Sequence, residues 1–366
     1  MRKMCVFCGK HPEKKSKEHV VPQWLIEATG DPNRAVYLGI VKDFENGFRP
    51  RTYAFDQFSF PACEECNNRH SSLEDAAKSV LNAITAQQKV GPAEMSVLLD
   101  WFDKVRVGLW LGLNQLDKNY VDIEPQFAIA SRMGQYDRML CIEKSDGETK
   151  KLNFGGVDTV AFAFSPTAFV LIVNNYYFTN ISHMFLISRR IGFPYPRSAY
   201  ILPDSDRLEI DLHPGRERMS LPLIRRRMKE RGTVIYQPMF PGGLVDGDMS
   251  IYDKPYVRKH SLDHAQGRGS LFLEVRNGLQ ELRPGQSISI EPHHVHDDWE
   301  LFVSTAVHVC EWQNWLNSQL PSMDKLSKAQ QAYIKKRYGL ARKLNNMLIR
   351  HHTSLLRPEA RGKVKG

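Results

Sequence analysis

Cys5-Val6-Phe7-Cys8 and Cys63-Glu64-Glu65-Cys66 are two Cys-x-x-Cys pairs that together offer four thiolates, a complete tetrahedral shell for zinc. Between them lies Glu18-His19-Val20-Val21-Pro22, and Asn67 follows directly on the last cysteine. Zinc held by four sulfurs has no open coordination position, so it can tie the chain together but cannot activate a substrate. Any chemistry in this segment then belongs to the Glu18-His19 pair and to Asn67, which the ion would draw towards one point. A four-cysteine site is strong evidence for zinc and weak evidence for catalysis, because many zinc ribbons only bind. A Glu-His dipeptide is common by chance, and only its conjunction with the cysteine pairs and the asparagine singles it out.

The arrangement resembles the four-cysteine branch of the HNH (ββα-metal) endonucleases. The resemblance rests on Cys5/Cys8, Glu18-His19, Cys63/Cys66 and Asn67, within the strings SKEHVVPQWL and CEECNN…SSLED, and it covers about residues 1–85. It implies that His19 activates water and that Glu18 and Asn67 hold a divalent cation, Mg2+ or Mn2+, while the sulfur-bound zinc stays structural. Two departures from the family matter. Glu18 stands where aspartate is frequent, which moves the carboxylate by about one C–C bond, ~1.5 Å. The middle asparagine of the family motif is not set by spacing, and Asn46 is the nearest candidate. His70 and Glu74 extend the candidate set, but the four-cysteine branch uses the position directly after the last cysteine, which ranks Asn67 ahead of His70.

Phosphodiester hydrolysis needs a nucleophilic water, a counter-charge for the phosphorane and help for the departing oxygen. A histidine near its ordinary pKa suits the first task. One hard divalent cation on oxygen ligands suits the other two. The expected function is therefore a metal-dependent endonuclease acting on DNA, with restriction or anti-phage defence among its settings. Two other readings stay open: a zinc-ribbon nucleic-acid-binding or adaptor protein without hydrolytic activity, and a nuclease directed at RNA.

The surrounding chain must position these residues, and its expected class is α+β. Residues 1–90 read as the zinc-stabilised ββα-metal module that the resemblance implies. A basic loop carries Lys10, Lys14, Lys15 and Lys17, and an extended stretch runs from Glu18 to Leu25. An insertion from about 29 to 60 brings the second strand, and a helix opened by Pro61 bears the second cysteine pair. On a continuous helix Asn67, Ser71 and Glu74 share one stripe. Ser71-x-x-Glu74 also fits a capping box that would start a new helix, with Glu74 satisfying only backbone amides, and this is the simpler reading.

Residues 91–320 read as a larger α+β domain that recognises a substrate or a protein partner. Helices are expected over 73–90 and 95–118, separated by Gly91-Pro92. Strands are expected over 121–130, 138–143, 159–165, 168–179, 184–191, 233–239, 269–275 and 287–291, and a strand leading into a helix over 301–320. Two further clusters are ambiguous. His293, His294 and His296 read as a polar loop more readily than as a metal site, and the basic run from Arg216 to Arg231 fits a phosphate track or a solvated helix face equally well.

Residues 321–366 form a basic amphipathic helix and tail. Leu326, Tyr333, Leu340 and Met347 recur every seven residues for docking on protein, and Lys335, Lys336, Arg337, Arg342 and Lys343 face a polyanion. Net charge is +9, and the segment from Lys325 onward alone carries +11, which leaves −2 for residues 1–324. The basic footprint for nucleic acid therefore sits at the end of the chain. Met1-Arg2-Lys3 leads into cysteines and charges with no secretory pattern, and no apolar run is long enough to span a bilayer. A cytoplasmic protein without membrane contact is expected, with Cys141 and Cys310 as free buried thiols.

Overall fold

A computed structural model describes residues 4–43, 47–55, 59–116, 128–193, 195–202, 208–213, 221–240, 259–290, 295–319 and 322–357. Asn46, His293, His294, the strand expected over most of 121–130, Arg216 and the end of the basic tail lie outside the described residues.

Lys15–His19 forms strand β1, and Pro22 then caps a short helix, α1 (Gln23–Ala28), where the sequence predicts extended chain. Leu25 and Ile26 are buried on that helix, which is what turns the chain inward. The insertion holds its own hairpin, β2 (Ala35–Asp43) and β3 (Gly47–Ala54). Its last stretch, β4 (Ser59–Cys63), pairs antiparallel with β1, setting Glu18 opposite Phe60 and His19 opposite Ser59. Helix α2 (Glu64–Thr85) starts directly after Cys63, so Pro61 lies in β4 and does not open the helix. Glu64 and Glu65 in its first turn suit the positive end of the helix dipole. The helix runs unbroken through Ser71 and Glu74, which sets aside the capping box.

Helix α3 (Pro92–Leu116) packs beside α2. A β-carbon on Gly108 would meet Val20 Cγ1 at 2.8 Å, so glycine there lets α3 lie against the chain just past His19.

An eight-stranded sheet forms the body. Its strands are β5 (Asp137–Ser145), β6 (Leu152–Gly155), β7 (Ala168–Val173), β8 (Tyr176–His183), β9 (Thr233–Gln237), β10 (Leu271–Val275), β11 (Gly278–Leu282) and β12 (Val295–His296). The order is β11-β10-β9-β5-β8-β7-β6 with antiparallel neighbours, and β12 lies parallel to the end of β5. The chain also forms helices α4 (Val160–Phe164), α5 (Ser188–Ile191), α6 (Leu223–Arg231), α7 (Asp298–Ser318) and α8 (Lys328–Leu355).

Three expected strands are helical. At 160–164, Thr159 Oγ1 accepts from Phe162 N and the Trp110 indole donates to Ala163 O at 2.8 Å, and a short apolar run has no period of its own to resist this. Near 184–191, the buried Asp137 carboxylate accepts from Ile187 N, Ser188 N and Ser188 Oγ and so anchors α5. The whole of 301–318 belongs to α7, which is buried on more than one face and encloses the polar Ser304, Thr305, His308 and Gln313 as well as its apolar residues.

One cluster of buried side chains runs without a break from Phe7, Val20 and Phe60 through Phe102 to Phe169 and Phe178. A second, on the other face of the sheet, joins Met139 and Tyr177 to Trp312. Cys141 and Cys310 are buried free thiols. Among the described residues no helix is long and apolar enough to cross a membrane.

Candidate functional site

The sulfurs of Cys5, Cys8, Cys63 and Cys66 lie within 4.8 Å of one another and could hold a metal such as zinc. Local structure explains the convergence. Cys5 O accepts from Gly9 N, with Gly9 at φ +70, and this tight turn brings the first pair together. Val6 N donates to Pro61 O at 2.9 Å, which sets the turn beside β4. Cys63 ends that strand and Cys66 lies in the first turn of α2. Burial pushes the Cys63 thiol up to about 11 and that of Cys66 up to about 12, with the neighbouring sulfurs adding to both. Burial also acts to raise Cys5, but backbone amides of Cys63, Cys8 and Phe7 outweigh it and bring the thiol down to about 7. Four crowded thiolates favour a cation among them.

On the unbroken helix, Asn67, His70 and Glu74 fall on one face at spacings of three, four and seven. That face meets β1 through a residue from α3. Lys104 Nζ, almost wholly buried, pairs with Oε1 of both Glu18 and Glu74. The same ammonium lies 5.9 Å from the centre of the Phe7 ring, on which His70 stacks at 4.0 Å. Burial pushes the Glu18 carboxyl up to about 7; Glu74 adds to the rise and Lys104 opposes it. Burial lowers His70 to about 4, helped by the charges of Lys104 and Arg69. His19 is half-buried, and its Nδ1 is enclosed without a hydrogen-bond partner. Asn67 is half-exposed.

The structure thus joins Glu18, Glu74 and Lys104 directly and seats His70 beside them. The sequence reading missed Lys104, which it absorbed into a core helix. A signal was present: Asp100, Asp103, Lys104 and Arg106 interrupt an otherwise apolar segment.

Lys335, Lys336, Arg342 and Lys343 are exposed on α8, and Arg337 lies over the rings of Phe164 and Tyr333 at 4.9 and 4.4 Å. The seven-residue series does not dock as a unit. Leu326 is buried, but Tyr333, Leu340 and Met347 are exposed. Helix α8 instead meets α7 through Ala341 and Asn345, the latter donating to Gln313 Oε1 at 3.0 Å, because small and polar residues allow close approach there. In the described part of the second basic run, Arg225 and Lys229 pair with Glu274, Arg227 with Glu311, and Arg231 with Glu143, so these charges are spent inside the fold. Asp297 caps α7, and Asp298 pairs with Lys151 at 2.6 Å.

Comparison with protein-family models, with curated proteins and with solved structures gave no match for this chain.

Proposed function

We propose that residues 1–85 form an HNH-type nuclease module that hydrolyses DNA, with the sulfur cluster as its structural brace. The observation that supports this most is the joint itself. Four sulfurs tie the strand pair bearing Glu18-His19 to the helix bearing Asn67, His70 and Glu74. His19 serves as general base, taking the proton from the attacking water. Glu18 and Asn67, together with His70 and Glu74 from the helix that bears Asn67, are oxygen and nitrogen donors that fit a hard divalent cation in kind. When bound, such an ion would offset charge on the phosphoryl group. The exposed lysines and Arg342 of α8 hold phosphates, which gives affinity and position but not sequence choice.

Plasmid nicking with Mg2+ or Mn2+ tests the reading. His19→Ala is expected to lower the rate by about 10²- to 10⁴-fold, the usual range for a general base, with zinc content unchanged. Equal nicking by both proteins, or none by either on DNA or RNA, would reject it.

Acidity gives a second check. Glu18 titrates near 7, above the ordinary 4.5, so below pH 7 its carboxyl is mostly protonated and holds a cation poorly. Cleavage is expected to rise with pH up to about 7, and a rate flat from pH 5 to 8 would count against a role for Glu18. The same shift has a stability sign. Between 4.5 and 7 the folded chain keeps a proton that the unfolded chain has released, so this group's contribution to stability falls as pH rises through that window.

One observation favours the alternative of a non-catalytic zinc module: Glu18 is turned inward onto Lys104. Intact DNA binding without hydrolysis under any divalent metal would support that reading.

A further inference from the structure

We propose that Glu18 and Glu74 form a two-carboxylate cation seat whose resident ion is the ammonium of Lys104, and that a divalent metal enters only by displacing it. The inference rests on the nuclease reading solely for the role of the incoming ion.

Three elements build the seat: β1 supplies Glu18, α2 supplies Glu74 and α3 supplies Lys104. Glu18 and Lys104 are both buried, and the two carboxylates converge on one Nζ. A carboxyl enclosed to this degree carries its charge only beside a cation, and the ammonium provides one. One ammonium leaves two carboxylates with a residual negative charge, whereas a divalent ion neutralises both. Oxygen donors from two elements suit magnesium or manganese. The Phe7 ring centre lies 5.9 Å from Nζ, a cation–π contact that helps to hold the resident ammonium. His70 stacks on the same Phe7 ring at 4.0 Å. Lys104 is therefore a gate on metal entry, and the metal-free protein is plugged by its own side chain.

The test measures Mn2+ binding to the full-length, zinc-loaded protein by electron paramagnetic resonance of the free ion. Lys104→Met, which keeps the stem and removes the charge, is expected to bind Mn2+ at least tenfold more tightly than the unsubstituted protein. Adding Glu74→Gln should cancel the gain, and Lys104→Arg should give none. Unchanged or weaker binding in Lys104→Met overturns the proposal, as does an absence of Mn2+ binding in every form. Melting and zinc content confirm folding of each variant. If Lys104→Met does not fold, the unsubstituted protein serves: saturating Mg2+ should shift the 15Nζ resonance of the buried lysine, and an unmoved signal overturns the gate. Plasmid nicking is scored separately. Nicking without a Lys104→Met gain removes the gate but keeps the nuclease, and a gain without nicking does the reverse.

Discussion

Cys63→Ser is expected to strip the metal from the four-cysteine cluster and to unfold the chain around it. Structural zinc in small domains contributes roughly 10–16 kcal/mol of apparent binding energy, more than most domains have in reserve. Three remaining sulfurs leave an open coordination position. Cys63 is also the hinge of the module, since it ends β4, precedes α2 and lies opposite Lys15 on β1. The damage should not stop there, because the buried cluster containing Phe7 and Phe60 continues into Phe102 of α3. Elemental analysis should find far less than one zinc per chain, and thermal melting should show a lower and broader transition. Acidification should mimic the variant, because thiols at about 11 and 12 must lose protons to bind and recover them when the metal leaves. A full equivalent of zinc in Cys63→Ser would show that the four sulfurs do not act as one site.

Asp103→Ala is expected to cost about 3–5 kcal/mol of folding stability, the usual effect of breaking a buried ion pair from one side. Asp103 is fully enclosed on α3, forms an ion pair with Arg106 at 2.8 Å, and accepts from Arg138 at 3.1 Å and Gly134 N at 3.0 Å. Asp100, one turn earlier, takes Arg138 at 2.5 Å and also pairs with Arg268. Three guanidiniums thus share two carboxylates. Burial acts against the charge on Arg138, but Asp100 and Asp103 together outweigh it and hold its pKa above the ordinary value. Arg106 is pulled below its ordinary value by burial, with Asp103 as its main support. Without Asp103, Arg106 loses that support and Arg138 keeps Asp100 as its counter-charge, with Gln237 Oε1 accepting at 2.6 Å. Urea unfolding should show a lower midpoint with the slope retained. A loss under about 1 kcal/mol would mean that water or Asp100 takes over the vacated role.

The second result concerns α3 and the first reaches it through Phe102, and this helix marks the limit of what the sequence makes legible. Its length and apolar character were legible, since leucines and tryptophans at helical spacing require such an element. Its charges were not interpretable, because their partners are far away in the chain. Lys104 meets Glu18 and Glu74, and Arg138 meets Asp100 and Asp103 across the sheet. The strand errors have the same origin. Val160–Phe164 is helical because Trp110 and Thr159 hold its ends, and Ser188–Ile191 because Asp137 does. In α8, by contrast, Ser327 and Gln330 form a local capping box that starts the helix from neighbouring residues alone.

The sequence by itself determined the four-sulfur cluster, the adjacency of Glu18 and His19, and the presence of the long helices α3 and α8. These depend on residue type and on spacings of a few positions, which the backbone converts into geometry with little freedom. Only the tertiary structure decided that the Glu18 carboxylate turns inward to meet a lysine from another helix, and that His70 and Glu74 share its neighbourhood. Such pairings follow from how three elements pack, and a buried charge takes whichever counter-charge that packing brings within reach.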